Sequence, residues 1–209
     1  MDLVNPEIND YMLSLTPQRP KVLADMEQYA QENDFPIIGP LVGRFLHQLV
    51  HLTKATRIFE MGSGYGYSAI WFSTALKEGG TVECTEMDAA NIARGKKYTA
   101  EAEVDDHITW HVGDALESME KAVGLYDIIL NDVDKQQYPR ALEIAWPKLR
   151  RGGIMISDNV LWSGRVVEEI PPSASTAGIL EFNRKVYALP DSFCSIMPLR
   201  DGLMLAAKI

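Results

Sequence analysis

Two short stretches concentrate the side chains that could do chemistry. Asn131-Asp132-Val133-Asp134-Lys135 follows the apolar run that starts at Tyr126, and Asp158-Asn159 follows Ile154-Met-Ile-Ser157. Charged groups at the mouth of a buried strand cost free energy unless they are paired or used. If both runs are parallel strands of one sheet, their ends share an edge, and Asp132, Asp158 and Asn159 can converge. Two carboxylates and an amide oxygen form a hard, all-oxygen, incomplete coordination set. Such a set suits Mg²⁺, with Mn²⁺ or Ca²⁺ as substitutes, and leaves positions open for water and substrate oxygens. The competing reading is that Asp and Asn cap the helices that follow. It explains either stretch alone better than both together.

A third stretch, Glu60-Met-Gly-Ser-Gly-Tyr-Gly66, also follows an apolar run. Its glycines allow a sharp turn and a close approach of backbone to ligand, and amides at a helix start favour an anionic group. The spacing is Gly-x-Gly-x-Gly, unlike the dinucleotide fingerprint, and no Lys-Ser/Thr pair follows as in a phosphate loop. Glu86 stands about 20 residues further on, where a carboxylate can accept hydrogen bonds from ribose hydroxyls. NAD and S-adenosylmethionine both carry such a ribose, so Glu86 alone does not choose between them. Gly113-Asp114-Ala115 takes the next position along the same edge.

The elements that must hold these groups alternate. Strands are expected at 57–61, 80–86, 108–112, 126–131 and 154–157, with helices at 68–77, 89–102, 116–121, 138–149 and 175–188. Arg151-Gly-Gly153 reads as a tight turn into the fifth strand. Two last strands, about 193–199 and 203–208, are joined by Arg200-Asp-Gly202 and pair as an antiparallel hairpin. The whole is an α/β fold, a seven-stranded, mostly parallel sheet with helices on both faces. Ahead of it, Val22, Met26, Tyr29 and Ala30 give residues 1–35 a helical apolar stripe. After the break at Phe35-Pro-Ile-Ile-Gly-Pro40, a second helix turns Leu41, Phe45, Leu46, Leu49, Val50 and Leu52 to one side. Residues 1–209 therefore read as one domain, a helical segment over 1–53 and a Rossmann-like core over 54–209.

With 209 residues, 46% of them hydrophobic and 23% charged, the composition is that of a globular chain. A net charge of −9 disfavours a nucleic-acid partner. No apolar run is long enough for a membrane span, and the first residues are not a signal peptide, so a cytoplasmic protein is expected. Cys84 and Cys194, each in a strand-like run, read as buried free thiols. His47, His51, His107 and His111 share no metal spacing and read as packing or surface residues.

Glu60-x-Gly-x-x-x-Gly-Tyr-Ser68, Glu86, Asp132-Val-Asp-Lys135, Asp158-Asn159 and Asp201-Gly-Leu, in this order, resemble the cation-dependent O-methyltransferases, the catechol and caffeoyl-CoA enzymes and their bacterial counterparts. The resemblance runs from about Gly43 to the C-terminus. It implies a class I methyltransferase that moves a methyl group from S-adenosylmethionine to a hydroxyl of a small vicinal diol. It makes Asp132, Asp158 and Asn159 the metal ligands and Lys135 the general base; as a plain surface lysine, Lys135 would instead pair with Asp134. Glu60, Gly62, Gly66 and Ser68 would surround the methionine moiety and Glu86 the ribose. Asp114 and Ala115 would lie on the adenine side, with the Asp132 backbone also near the donor. Ile38 and Trp162 are candidate acceptor contacts. Segment 164–175 is a candidate cover. The chain leaves little room for the substrate-binding insertion of the plant CoA-ester enzymes, which argues for a small acceptor. A homodimer through the N-terminal helices is expected. The rival readings are a nucleotide-binding oxidoreductase and a donor-binding relative without catalysis.

Overall fold

Apolar runs at βα spacing bury both faces only in a sheet covered on two sides. The computed structural model describes residues 3–167 and 173–209. Its strands are β1 (Arg57–Met61), β2 (Thr81–Glu86), β3 (Ile108–Val112), β4 (Tyr126–Asn131), β5 (Leu149–Ser157), β6 (Ser192–Met197) and β7 (Leu203–Lys208). Their order across the single seven-stranded sheet is β3-β2-β1-β4-β5-β7-β6. Strands β1 to β5 are parallel, and β7 runs antiparallel to both neighbours. The strand order reverses between β1 and β4, so the space beyond their carboxyl ends is the switch point where ligands enter such sheets.

The helices are α1 (Pro6–Ser14), α2 (Lys21–Glu32), α3 (Gly39–Thr53), α4 (Tyr67–Ser73), α5 (Ala89–Glu101), α6 (Ala115–Lys121), α7 (Tyr138–Ala145) and α8 (Ala174–Ala188). Side-chain alternation divides the core. Ile58, Ile128 and Leu130 face one cluster with Leu23, Met26, Val42 and Leu46 of α2 and α3. Phe59, Met61 and Ile129 face the other, with Leu142 of α7 and Phe182 of α8. Helices α2 and α3 are thus packed into the same core as the sheet, whereas α1 buries no side chain.

Several expectations are corrected. The N-terminal stripe is two helices, because Pro17 and Pro20 interrupt the backbone hydrogen bonds between Ser14 and Lys21. Leu52, expected on the buried side of α3, is 69% exposed. Helix α4 stops at Ser73 rather than Lys77: Ala75 N donates to Phe72 O and Leu76 N to Ser73 O, a tighter winding that ends the α-helix. Helix α7 stops at Ala145, shortly before Pro147, and a 3-10 turn leads into β5. Arg151-Gly-Gly153 is not a turn but part of β5. Tyr126 pairs with Leu149 and Ile128 with Ile154, so the extra residues loop out as a bulge. Strand β6 ends at Met197, before Pro198. Cys84 is a buried free thiol, but Cys194 is only half-buried. Part of the candidate cover, residues 168–172, lies outside the described residues. Among the described residues no helix is long and apolar enough to cross a membrane.

Candidate active site

The tips of β1, β4 and β5 are tied edge to edge. Asp132 N donates to Met61 O at 2.9 Å, and Asp158 N donates to Asn131 O at 3.2 Å. Gly62, just past β1, has φ +86°, and a Cβ there would lie 2.6 Å from Asp132 O. Only glycine meets both demands at this crossing. Tyr138, wholly buried at the start of α7, donates its hydroxyl to Asp158 O at 2.9 Å. It joins the two acidic segments from beneath. Behind them, Val160 N donates to Gly202 O at 3.0 Å, Leu161 N to Asp201 O at 3.0 Å, and Ser163 N to the Asp201 carboxylate. The Asp201-Gly pair is therefore the support of the Asp158-Asn159 loop.

These ties bring Asp132, Lys135, Asp158, Asn159 and Trp162 to the wall of one 450 Å³ cavity. Lys135, 12% exposed, places Nζ 2.6 Å from Asp132 Oδ1. It is not paired with Asp134, which is exposed. Asp158 is 3% exposed. Burial, and next the charge of Asp132, pushes its carboxyl up to about 7. Burial also raises that of Asp132, against the pull of Lys135. The three carboxylates that line this cavity, Asp132, Asp134 and Asp158, outnumber its two cations, Lys135 and Arg200.

Neither carboxylate is spent on a helix cap. Asp158 Oδ1 accepts only from Asn159 N, at 2.8 Å, and Asp132 accepts from Lys135. Among the described residues Asp158 Oδ2 and the Asn159 side chain make no hydrogen bond. No three His, Cys, Asp or Glu side chains form a metal-binding group among them, so the set depends on Asn159 as its third member. Idle hard oxygens facing one cavity, with uncompensated negative charge, are what a divalent cation requires of its ligands.

A small cavity of 50 Å³ adjoins the first, lined by Gly62, Ser63, Gly64, Tyr65, Ser68 and Ile38 among others. The two share Pro36, Ile37 and Asp132. Gly66, also at positive φ, is held against Trp110, whose ring would lie 2.9 Å from a Cβ. Glu60 does not line this cavity. It is fully buried below the loop, accepts hydrogen bonds from Ser68 Oγ and, at 3.5 Å, Cys84 Sγ, and burial pushes its carboxyl up to about 7. Along the edge, Ser63 N donates to Thr85 O at 2.8 Å and Gly113 N to Glu86 O at 3.0 Å, so the glycine loop, Glu86 and Asp114-Ala115 succeed one another. Glu86 Oε1 accepts from Asp88 N at 2.8 Å, and Asp114 caps α6 through Glu117 N at 3.0 Å.

A larger cavity of 750 Å³, lined by Phe45, His47, Trp71 and others, contains none of the expected site residues. The histidines stay apart from the acidic edge: His47 and His51 contact each other, His107 bonds Gly80 O, and His111 bonds Glu83. Sequence reasoning missed Tyr138 and Arg200. Tyr138, three residues beyond Lys135, offered a weak signal as an aromatic after a charged loop. Arg200 offered none, since its neighbour Ile37 is far away in the chain.

A sequence profile of the O-methyltransferase family matches residues 15–209. A catechol O-methyltransferase from Niastella koreensis is 30% identical over 81% of this chain and 80% of its own length. The mouse catechol O-methyltransferase domain-containing protein 1 is 31% identical over 79% of this chain, which spans only 65% of the mouse protein. An O-methyltransferase from Bacillus cereus, solved in complex with SAH, superposes with a TM-score of 0.89, 26% identity and 97% coverage of each chain. TomG from Streptomyces achromogenes, solved with SAM, does so at 0.87 with 27% identity, covering 97% of this chain and 96% of its own.

Proposed function

The chain belongs to the O-methyltransferase family, and from that premise we propose that it transfers the methyl group of S-adenosylmethionine to a hydroxyl of a small catechol-like acceptor, with a divalent cation required. The observation that carries this reading is the shared wall of the two cavities. Asp132, Pro36 and Ile37 border both the glycine-loop cavity and the acidic one, so the methionine end of a donor entering the first would lie against an acceptor in the second.

The residues take these parts. Gly62, Gly66 and Ser68 shape the site of the donor's methionine end, and Glu60 acts through Ser68. Glu86 receives the ribose hydroxyls, and Asp114 and Ala115 border the adenine. Trp162 walls the acceptor, whereas Ile38, expected beside it, lines the glycine-loop cavity on the donor side. Asp132, Asp158 and Asn159 would hold the cation, Mg²⁺ first and Mn²⁺ or Ca²⁺ as substitutes. When bound, that ion supplies the charge that orients two vicinal oxygens and lowers the hydroxyl pKa. Lys135 Nζ, after giving one of its own protons to solvent, takes the hydroxyl proton as a neutral amine. The oxygen then forms its bond to the methyl carbon while the carbon–sulfur pair returns to sulfur, leaving a neutral thioether. Holding both reactants in line supplies much of the rate.

Label transfer from S-adenosylmethionine to catechol tests this. Product forms with Mg²⁺, falls to background with excess chelator and returns on metal addition. Transfer undiminished by chelator contradicts the metal requirement. Normal donor binding without turnover on a broad set of diols favours the non-catalytic relative, and NAD binding would favour the oxidoreductase. Gly62→Ala is expected to weaken donor binding about tenfold or more, at about 1.4 kcal/mol per tenfold, because strain at positive φ adds to the displacement of Asp132 O. Calorimetric titration of the donor measures it.

The reading includes a cytoplasmic homodimer with no nucleic-acid or membrane partner. Ile8, Tyr11 and Leu15 of α1 and the residue after it are exposed and suit a second copy. A monomer mass independent of concentration would remove the dimer.

A further inference from the structure

Arg200 sits in the turn between β6 and β7 with φ +51°, a conformation side-chain-bearing residues rarely adopt and glycine takes freely. Its guanidinium reaches across to the segment before α3, where Nη1 donates to Ile37 O, and a Cβ added at Gly39 would be in van der Waals contact with it. One donor of five is thereby used. Among the described residues no carboxylate lies within ion-pair distance of it.

Its location is particular. Arg200 lines the 450 Å³ cavity that holds Asp132, Asp158 and Asn159. It also lines a second cavity of 430 Å³, walled by Leu3, Val4, Pro6 and Asn9 of the N-terminal segment, with Asn159 again in common. The charged residues of the inner cavity are Asp132, Asp134, Asp158, Lys135 and Arg200, and Lys135 is bonded to Asp132. In the outer cavity Arg200 faces Asp201, whose carboxylate already accepts from Ser163 N. Arg200 is thus the cation with donors to spare, at the junction between the acidic site and the outer space.

Resting on the methyl-transfer reading above, we propose that Arg200 recognises a carboxylate on the acceptor, so that the preferred acceptors are aromatic vicinal diols carrying an acid group. The diol faces Asp132, Asp158 and Asn159, the ring lies by Trp162, and the acid group points to the outer cavity. A planar fork of donors matches a carboxylate in two-point contact, which an ammonium does not. Recognition of an acid group also accounts for the strained backbone, since glycine would suit the turn but could not reach the ligand.

The test compares 3,4-dihydroxybenzoate with its neutral methyl ester in the full-length protein, saturated with donor and Mg²⁺. Wild type should favour the acid by roughly 10- to 100-fold in kcat/KM, the range of a charged hydrogen bond. In Arg200→Gly, which relieves the backbone, that ratio should fall towards one, with the loss on KM for the acid, and Arg200→Lys should restore it in part. Quenching of tryptophan fluorescence by acid and ester, without donor, gives the same ratio independently of turnover. A wild type that does not distinguish acid from ester, in turnover or in binding, overturns the proposal, as does an Arg200→Gly protein that keeps the preference. If neither diol is methylated, the methyl-transfer reading fails, and the binding ratio still decides the role of Arg200.

Discussion

Asp158→Asn lowers metal-supported methyl transfer by roughly 10³-fold, taking several kcal/mol for the ion's contribution at about 1.4 kcal/mol per tenfold. The substitution keeps the shape of a residue that is 3% exposed and whose Oδ1 accepts from Asn159 N. It removes only the charge that would hold the cation. It also removes the buried one of two neighbouring carboxylates, Asp158, whose carboxyl is held up to about 7 by burial and next by the charge of half-buried Asp132. The metal-free protein should therefore melt at a higher temperature than wild type at neutral to mildly alkaline pH. Opposite signs for activity and metal-free stability separate loss of a ligand from loss of fold. A variant that is both inactive and less stable would mean that Asp158 serves the fold, not the ion.

Lys135→Met is the second large effect. Removing a general base costs about 10²- to 10⁴-fold in kcat. Lys135 also neutralises Asp132 through a 2.6 Å contact, so its removal frees a carboxylate oxygen for the cation. Metal affinity should stay level or tighten while kcat collapses, a split that titration calorimetry and steady-state kinetics measure together. Lys135→Arg should be similarly slow, because a guanidinium keeps the charge but does not give up its proton. An active Arg variant would show that only the positive charge matters.

The parts of this molecule legible in its sequence are those set by local physics. Strands β1, β3, β4 and β7 begin and end where expected, because glycine follows β1 and β3 and precedes β7, and an acid follows β4. The start of β5 was hidden, since Arg151-Gly-Gly153 has the composition of a turn and only pairing with β4 makes it a bulge. The end of α4 was hidden too, because Ala75 and Leu76 continue the apolar period past the last α-helical bond.

The candidate site divides in the same way. Asp132, Asp158 and Asn159 were readable because acids at the ends of buried strands need a reason to be there, and the sheet order brings them to one cavity. The partner of Lys135 was not, because adjacency favours Asp134 and only the direction of the turn selects Asp132. Tyr138 and Arg200 act through contacts to backbone oxygens of distant segments, which no spacing rule encodes.

Central to this account is one divalent ion shared by the tips of β4 and β5. A crystal structure with S-adenosylhomocysteine, Mg²⁺ and a nitrocatechol tests it most directly. The account predicts a cation bound by Asp132, Asp158 and Asn159 and by both catechol oxygens, with Lys135 Nζ beside the reacting one. A catechol bound at the donor's sulfur with no ion between these side chains would contradict it.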